Sequence, residues 1–159
     1  MRLYFLRHGV AEQRGHWTGP DEARPLTQEG IDRMTKEAEG LAALGLRPDV
    51  ILTSPFARAV QTADIVAKQI LRDEQPVTDE RLSSGFNLLA LGRILADHST
   101  VPEVMLVGHE PDFSLVIARL IGGGRVVLKK GGLACVDVYG GSSISGELLW
   151  LATPQLLIG

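Results

Sequence analysis

The chain has 159 residues, a length typical of one domain that buries its own core, and we expect residues 1–159 to form a single domain. Hydrophobic residues make up 45% and charged residues 22%, close to globular averages, which argues against a disordered chain or a coiled coil. The net charge of −3 gives no overall basic field, so we expect no nucleic-acid partner. Any phosphate recognition must therefore come from a few placed cations.

The first third of the chain predicts a strand, a long loop and a helix. Residues 3–6 form a short apolar run typical of a buried strand. Residues 9–27 lack apolar periodicity and are rich in Gly and Pro, which predicts a long functional loop. Thr27 is a suitable N-cap for an amphipathic helix that Gly45 ends.

The middle of the chain predicts a second strand and helix. Residues 50–53 form a short, mostly apolar run that predicts a second strand. Ser54 and Pro55 follow directly and are suitable as the N-cap and first-turn residues of the next helix. Residues 72–87 are irregular, with a short strand expected near Val77.

The remaining elements complete an alternation of strands and helices. We expect helices over 88–97 and 112–121, and strands over 104–107, 134–139 and 148–152, the last two separated by a turn at 140–143. Apolar strands that alternate with helices predict an α/β fold, a three-layer α/β/α sandwich with a mostly parallel sheet. The hairpin of the last two strands predicts an antiparallel edge.

Cysteine content and apolar runs restrict the chemistry and the location. Cys135 is the single cysteine, which excludes an internal disulfide and a cysteine-based zinc site, and its apolar neighbours predict a buried core thiol. No apolar run approaches the ~18 residues of a membrane span or the length of a signal peptide. We therefore expect a cytoplasmic protein with no membrane partner.

Polar residues follow three of the predicted strands at their carboxyl ends. They stand in Arg7-His8-Gly9, in Thr53-Ser54-Pro55 with Arg58 in the next helical turn, and in Gly108-His109-Glu110. Ligands of open α/β sheets bind beyond this edge. A phosphate site is predicted at this edge, because two histidines, two arginine guanidinium groups and the N-termini of helices converge there.

Four sequence blocks, in order, resemble motifs of a known family. They are Arg7-His8-Gly9 (RHG), residues 24–30 (RPLTQEG), residues 52–63 (LTSPFARAVQTA) and residues 106–111 (LVGHEP). The blocks are similar to those of the histidine phosphatase superfamily, in its branch of short phosphohistidine phosphatases of the SixA type. The resemblance covers most of the chain and implies a phosphoglycerate-mutase-like fold. It also implies phosphoryl transfer through a histidine, without a metal or another cofactor.

The resemblance implies a role for each matched residue. His8 is the expected nucleophile, neutral at the attacking nitrogen, with a carbonyl or carboxylate holding the other nitrogen. Arg7 and Arg58 are expected to clamp phosphate oxygens, and His109 to add a donor whose positive charge phosphate favours. Gly9 is expected to let the backbone approach the phosphate closely.

The general acid is less well defined by the sequence. Val10 stands where many relatives have an acidic residue directly after RHG, and Glu12, two positions later, is a candidate substitute. Glu80 lies in the interval where larger branches carry an acidic residue. Either glutamate is also compatible with a solvated surface position. A phosphoramidate is protonated on its leaving nitrogen more easily than an ester on oxygen, so a strong acid is less necessary.

The other two histidines have ordinary interpretations. His16, in the long loop, is a possible substrate contact but also a typical solvated loop residue, and His98 is expected at a helix end. A metal site built from His8 and His109 lacks carboxylate partners, and the adjacent arginines would repel a cation.

The short segment 72–87 bears on the substrate. Relatives that act on sugar phosphates or nucleotides usually carry an insertion there that roofs the site. An open pocket favours a phosphohistidine that protrudes from a partner protein, with phosphate as the product. A small-molecule phosphomonoesterase is the alternative, and a non-catalytic phosphate-binding module is a third, although such a module has no need of a nucleophile.

Overall fold

The structure is a computed structural model that describes residues 1–71, 73–140 and 142–159. The strands are β1 (Arg2–Arg7), β2 (Val50–Thr53), β3 (Val77–Thr78), β4 (Glu103–Gly108), β5 (Leu133–Tyr139) and β6 (Ser145–Ala152). The helices are α1 (Gln28–Ala43), α2 (Ala57–Ile70), α3 (Leu88–Asp97), α4 (Asp112–Leu120) and α5 (Pro154–Ile158). Short 3-10 turns lie at Arg14–His16, Asp21–Ala23 and Glu80–Leu82.

The strands form one sheet in the order β3-β2-β4-β1-β5-β6. Strands β3, β2, β4 and β1 pair in parallel, whereas β5 is antiparallel to both β1 and β6. The carboxyl ends of β2, β4 and β1 therefore lie side by side, with the start of β5 next to them. This arrangement confirms the predicted mostly parallel sheet with an antiparallel hairpin at one edge.

Alternate side chains of the central strands enter two separate cores. In β1, Leu3 and Phe5 pack on the face that α3 and α4 cover, whereas Tyr4 and Leu6 pack on the face that α1, α2 and α5 cover. A strand buried on both faces reads as a continuous apolar run, which is why residues 3–6 show no polar alternation. The predicted three-layer α/β/α fold is confirmed.

The start of α2 differs from the prediction. The helix begins at Ala57 with Phe56 as its N-cap residue, rather than at the predicted pair of Ser54 and Pro55. The Ser54 hydroxyl accepts a 3.3 Å hydrogen bond from the Phe56 N–H and lies 2.7 Å from a ring nitrogen of His109. The serine has the chemistry of a cap, but the structure uses it in a turn that faces His109.

The C-terminal end of the chain contains secondary structure that the hydrophobic periodicity of the sequence did not predict. Helix α5 was not predicted, because five residues are too few for a helical pattern. Strand β6 begins at Ser145, three residues before the predicted start, because backbone pairing with β5 continues over Ser145, Gly146 and Glu147, which carry no apolar side chain. Of the predicted turn and irregular segments, residues 141 and 72 lie outside the described residues.

The predicted loop 9–27 contains two of the 3-10 turns and an antiparallel bridge between Ala11 and Leu26. The bridge closes the loop over the carboxyl end of the sheet. Among the described residues, no helix has the length and apolar character needed to cross a membrane.

Candidate active site

A cleft of about 380 Å³ opens at the carboxyl ends of β1 and β4. Its walls come from the two strand ends, the loop 9–27, α2 and the segment before β5. The lining residues are Arg7, His8, Ala11, Glu12, Gln13, Arg14, Arg24, Arg58, Ser84, His109, Glu110 and Lys130. All four residues predicted to form the phosphate site, Arg7, His8, Arg58 and His109, line this one cleft.

The His8 ring is held with a defined nitrogen available for chemistry. Its backbone N–H donates to the Gly108 carbonyl, so strand pairing extends to the residue itself. Nδ1 lies 2.7 Å from the Gly9 carbonyl, which only accepts, so Nδ1 carries the proton and donates. Nε2 then keeps its lone pair and accepts from Arg58 Nε at 3.3 Å. Of the two partners expected for the second ring nitrogen, a carbonyl or a carboxylate, the structure shows the carbonyl.

Electrostatics also keep the His8 ring neutral. Burial, together with His109, Arg58 and Arg7 nearby, lowers the pKa of His8 from 6.5 to about 3, although the Gly9 carbonyl opposes this shift. A neutral imidazole with an unprotonated Nε2 is the form that acts as a nucleophile.

Both backbone polar groups of Gly9 have side-chain partners in the structure. A Cβ added at this position would approach Leu26 Cδ2 and Met34 Sδ at 3.4 and 3.6 Å, ordinary contacts on the side of α1. Its N–H donates to the Thr62 hydroxyl, so it is already occupied. Gly9 contributes the carbonyl that orients His8, and its close approach to a bound phosphate stays a prediction.

Arg58 is buried and braced by a residue of the long loop. Its Nη1 donates to the Asp21 backbone carbonyl at 2.9 Å, and its Nη2 donates to the Asp21 carboxylate at 3.1 Å. Arg24 Nε donates to the other carboxylate oxygen of Asp21 at 3.0 Å. Burial raises the pKa of Asp21, but its bonds to Arg24 and Arg58 outweigh burial and lower it. One carboxylate therefore fixes two guanidinium groups of the cleft.

Arg7 is the last residue of β1 and is held by one backbone carbonyl. Its Nη1 donates to the Leu128 carbonyl at 3.0 Å, while its Nε is buried without a hydrogen-bond partner in the structure. Burial lowers the pKa of Arg7, and Glu110 opposes that shift. A guanidinium with an unsatisfied donor beside the cleft is suited to an incoming anion.

His109 is buried between the His8 ring and an aromatic ring. Its ring centroid lies 5.4 Å from that of His8 and 4.8 Å from that of Phe56. Nε2 contacts the Ser54 hydroxyl at 2.7 Å, and Nδ1 is buried without a partner. Burial and Arg58 lower its pKa to about 4, so the protein by itself favours the neutral ring, and the positive charge predicted for His109 beside a phosphate stays a prediction.

The candidate acids fall in different places. Glu12 lines the cleft, as does Glu110, which sequence reasoning had not considered as an acid. Both Glu110 carboxylate oxygens bond to Ser114, one to its N–H and one to its hydroxyl. Glu80 is exposed and is not among the residues that line the cleft, because the 3-10 turn that begins there directs Leu82 into the core instead.

The remaining predicted residues lie outside the cleft. His16 is exposed on a 3-10 turn, and His98 is the C-cap of α3. Cys135 is buried, and burial raises the pKa of its thiol to about 11, in keeping with a core thiol. Within the part of the chain that the structure describes, no three His, Cys, Asp or Glu side chains are arranged to hold a metal ion.

The sequence did not assign a side-chain role in the phosphate site to several residues that the structure places there. They are Asp21, Arg24, Ser54, Thr62 and Lys130. Arg24, Ser54 and Thr62 stand inside the quoted motif blocks, so their position was a usable signal. Asp21 and Lys130 lie outside those blocks, and only the path of the chain brings them to the cleft.

Comparison with known proteins agrees with this geometry. The family profile for the histidine phosphatase superfamily (branch 1) matches residues 3–84. The chain belongs to the histidine phosphatase superfamily. It is 34% identical to an uncharacterized protein of Picosynechococcus sp., over 99% of both chains. It is 29% identical to the phosphohistidine phosphatase SixA of Escherichia coli, over 77% of this chain and 76% of that one.

Solved structures of this superfamily share the fold. A structure of the protein histidine phosphatase SixA complexed with tungstate superposes with a TM-score of 0.85, at 23% identity, over 98% of both chains. The resemblance to SixA-type members that the four sequence blocks indicated is therefore confirmed, and with it the phosphoglycerate-mutase-like fold. Membership of this superfamily supports phosphatase activity.

Proposed function

We propose that residues 1–159 act as one domain, without a roofing insertion, that hydrolyses phosphohistidine on a partner protein through a phosphorylated His8. The observation that carries the proposal is the His8 ring, which has Nδ1 fixed by the Gly9 carbonyl and an unprotonated Nε2 among cations. The proposed activity needs no metal ion.

In the first step, His8 Nε2 attacks phosphorus as the P–N bond of the substrate breaks. The leaving imidazole nitrogen takes a proton, and the phosphoryl group is now bonded to His8. Charge on the three equatorial oxygens is stabilised by Arg7 and Arg58. Asp21 holds Arg58 in place, so little reorganisation is needed when the phosphoryl group arrives.

In the second step, water attacks phosphorus, the bond to His8 breaks, and phosphate leaves.

His109 supports both steps. The Ser54 hydroxyl already accepts from Phe56, so its proton is available to His109 Nε2, an arrangement consistent with a ring protonated at Nδ1. That Nδ1–H is the buried donor without a partner, and a phosphate oxygen would satisfy it. A dianionic phosphoryl group would also raise the pKa of His109.

The proton for the leaving group comes from solvent or from Glu12. Glu12 lies in the cleft wall, whereas Glu110 is engaged at both oxygens by Ser114 and Glu80 lies outside. A phosphoramidate accepts a proton readily on nitrogen, so this site suits it better than an alkyl phosphate ester.

The absence of a roof supports a macromolecular substrate. Between α2 and α3, the described residues 71 and 73–87 contain only the two-residue strand β3 and one 3-10 turn. Of these residues, only Ser84 is part of the cleft wall. A histidine side chain that projects from a folded protein can reach His8 in such a cleft. The relative named phosphohistidine phosphatase SixA supports the same substrate class.

The nucleophile is tested with His8→Asn, which keeps a similar volume, and His16→Ala is the control because His16 is exposed outside the cleft. We expect His8→Asn to lower kcat/KM for p-nitrophenyl phosphate by about 10³-fold or more. We expect His16→Ala, and separately treatment of the wild type with EDTA, to leave kcat/KM for p-nitrophenyl phosphate within about twofold of the untreated wild-type value. Wild-type turnover by His8→Asn would contradict the nucleophile, and loss in EDTA that a divalent ion restores would contradict metal independence.

The substrate class is tested by comparing kcat/KM for a phosphohistidine protein with that for sugar phosphates. We expect the phosphoprotein to be preferred. A preference for sugar phosphates by about tenfold, roughly 1.4 kcal/mol in the transition state, would favour the small-molecule phosphomonoesterase instead.

A further inference from the structure

A second groove of about 450 Å³ adjoins the catalytic cleft, and the two share Arg7 and Lys130 in their walls. The groove runs from the end of β1 towards α1 and the start of α5. Its other lining residues are Val10, Arg33, Lys129, Thr153 and Gln155. We call it the basic groove.

The basic groove concentrates positive charge on an acidic protein. Four of its seven lining residues are cationic, although the chain as a whole has a net charge of −3. None of its lining residues, all within the described part of the chain, carries a carboxylate. Arg33 is partly balanced by the buried Glu37 at 3.3 Å, which also restrains its guanidinium, but Lys129 and Lys130 are exposed at the rim. The groove therefore presents uncompensated positive charge.

The lysines are anchored to the nucleophile segment. The Gly131 N–H donates to the backbone carbonyls of both Arg7 and His8, at 3.2 and 3.1 Å, and the Gly132 N–H donates to the Lys129 carbonyl. The turn that carries Lys129 and Lys130 is thus hydrogen-bonded to the end of β1. The backbone that carries these lysines therefore keeps a fixed position beside His8, and their side chains can reach a ligand that extends from the cleft.

The type of cation indicates the type of ligand. In the catalytic cleft, buried or braced guanidinium groups of Arg7 and Arg58 have the planar geometry that fits one phosphoryl group. The two exposed lysines of the basic groove are mobile point charges on long stems, which suit carboxylates spread along a polypeptide. A single phosphate is already accommodated by the cleft and does not need the groove.

We propose that the basic groove binds an acidic segment of the protein whose phosphohistidine enters the cleft. This inference rests on the proposed function and narrows it to phosphoproteins with carboxylates beside the phosphorylated histidine. Charge at the groove would act on association with the substrate rather than on the chemistry at His8.

The test uses Lys129→Glu, since Lys129 lines the groove but not the catalytic cleft. Lys68→Glu, an equal charge change in the exposed last turn of α2, is the matched control. The substrates are two synthetic phosphohistidine peptides, one with Asp and Glu beside the histidine and one with Ser and Gln. A third substrate is p-nitrophenyl phosphate.

We expect Lys129→Glu to lower kcat/KM for the acidic peptide about tenfold in low salt. The loss should shrink in about 0.5 M salt, because salt screens exposed charges. For Lys129→Glu, kcat/KM for the neutral peptide and for p-nitrophenyl phosphate should change by less than about twofold. For Lys68→Glu, kcat/KM for all three substrates should also change by less than about twofold. Equal losses on all three substrates, or no loss on the acidic peptide, would overturn the proposal. A small bisphosphate ester serves as a fourth substrate. If Lys129→Glu lowers kcat/KM for this ester as much as for the acidic peptide, the proposal that the groove binds a polypeptide is overturned.

Failure of the proposed function gives a different result. Wild-type protein that hydrolyses p-nitrophenyl phosphate but neither peptide would contradict phosphohistidine as substrate. The groove is then judged by an unphosphorylated acidic peptide as an inhibitor of p-nitrophenyl phosphate hydrolysis. An inhibition constant about tenfold weaker in Lys129→Glu than in Lys68→Glu supports the groove, and equal constants overturn it.

Discussion

The immediate neighbours of His8 fix the tautomer and the neutral state of its ring, which the proposed nucleophilic role requires. The Gly9 carbonyl selects the tautomer, Arg58 faces the reactive nitrogen, and burial disfavours the imidazolium. Each of these contacts comes from a residue adjacent in sequence or at the end of a neighbouring element. The RHG motif therefore describes a local unit in which the glycine orients the histidine.

This preparation predicts that the ring stays neutral well below neutral pH. With pKa values lowered to about 3 and about 4, neither His8 nor His109 should gain a proton between pH 8 and pH 5. Ring Cε1–H resonances followed by NMR, assigned with His8→Asn and His109→Asn, should show no titration in that range for these two histidines. A midpoint near 6.5 for His8 would contradict the buried, cation-flanked environment that the structure gives it.

At the scale of elements, the packing of α1 against α5 depends on one glycine. A Cβ at Gly40 would lie 1.9 Å from the Leu157 carbonyl oxygen, a distance that only a shift of backbone could relieve. Leu157 in turn enters the core that α1 and α2 share. The close approach of the two helices explains how a five-residue helix, too short to be stable alone, is held in place.

Gly40→Ala should therefore destabilise the protein, although alanine favours a helix over glycine by about 1 kcal/mol. We expect a net loss of about 1–3 kcal/mol in the free energy of unfolding, or several degrees in Tm. Gly92→Ala is the control on α3, because its nearest contact is the flexible Ile144 Cδ1 at 3.0 Å. A Gly40→Ala protein as stable as the wild type would show that α5 is not packed as described.

At the scale of the whole molecule, buried titratable groups link stability to pH in opposite directions. Neutral His8 and His109 contribute stability that is complete above pH 6.5 and is lost as the pH falls towards their lowered pKa values. Glu37 acts in the other direction. Its burial, which outweighs the attraction of Arg33, raises its pKa from 4.5 to about 7. Its contribution is complete below pH 4.5 and is lost as the pH rises through 7.

The Glu37 contribution is isolated by comparing the wild type with Glu37→Gln across pH. The free energy of unfolding of the wild type, relative to the variant, should fall by roughly 2–3 kcal/mol between about pH 4.5 and about pH 7.5. Denaturant titrations at several pH values measure this difference. A difference that stays constant, or rises with pH, would show that Glu37 is not a buried carboxyl group with a raised pKa.

Much of this protein follows from the sequence by itself. Apolar runs such as residues 3–6 and 104–107 indicate strands buried on both faces, because local hydrophobic patterns report burial directly. Since the carboxyl ends of parallel strands meet at one edge, Arg7, His8 and His109 could be placed together before any coordinates. Arg58 followed from its position one helical turn after the next strand.

Only the tertiary structure decided how those residues are supported and what surrounds them. The path of the loop 9–27 brings Asp21 to Arg58, and the turn before β5 brings Lys130 to the cleft. The same folding places Glu80 outside the cleft. Such contacts join residues distant in sequence through irregular segments, where no periodic pattern records which side chains meet.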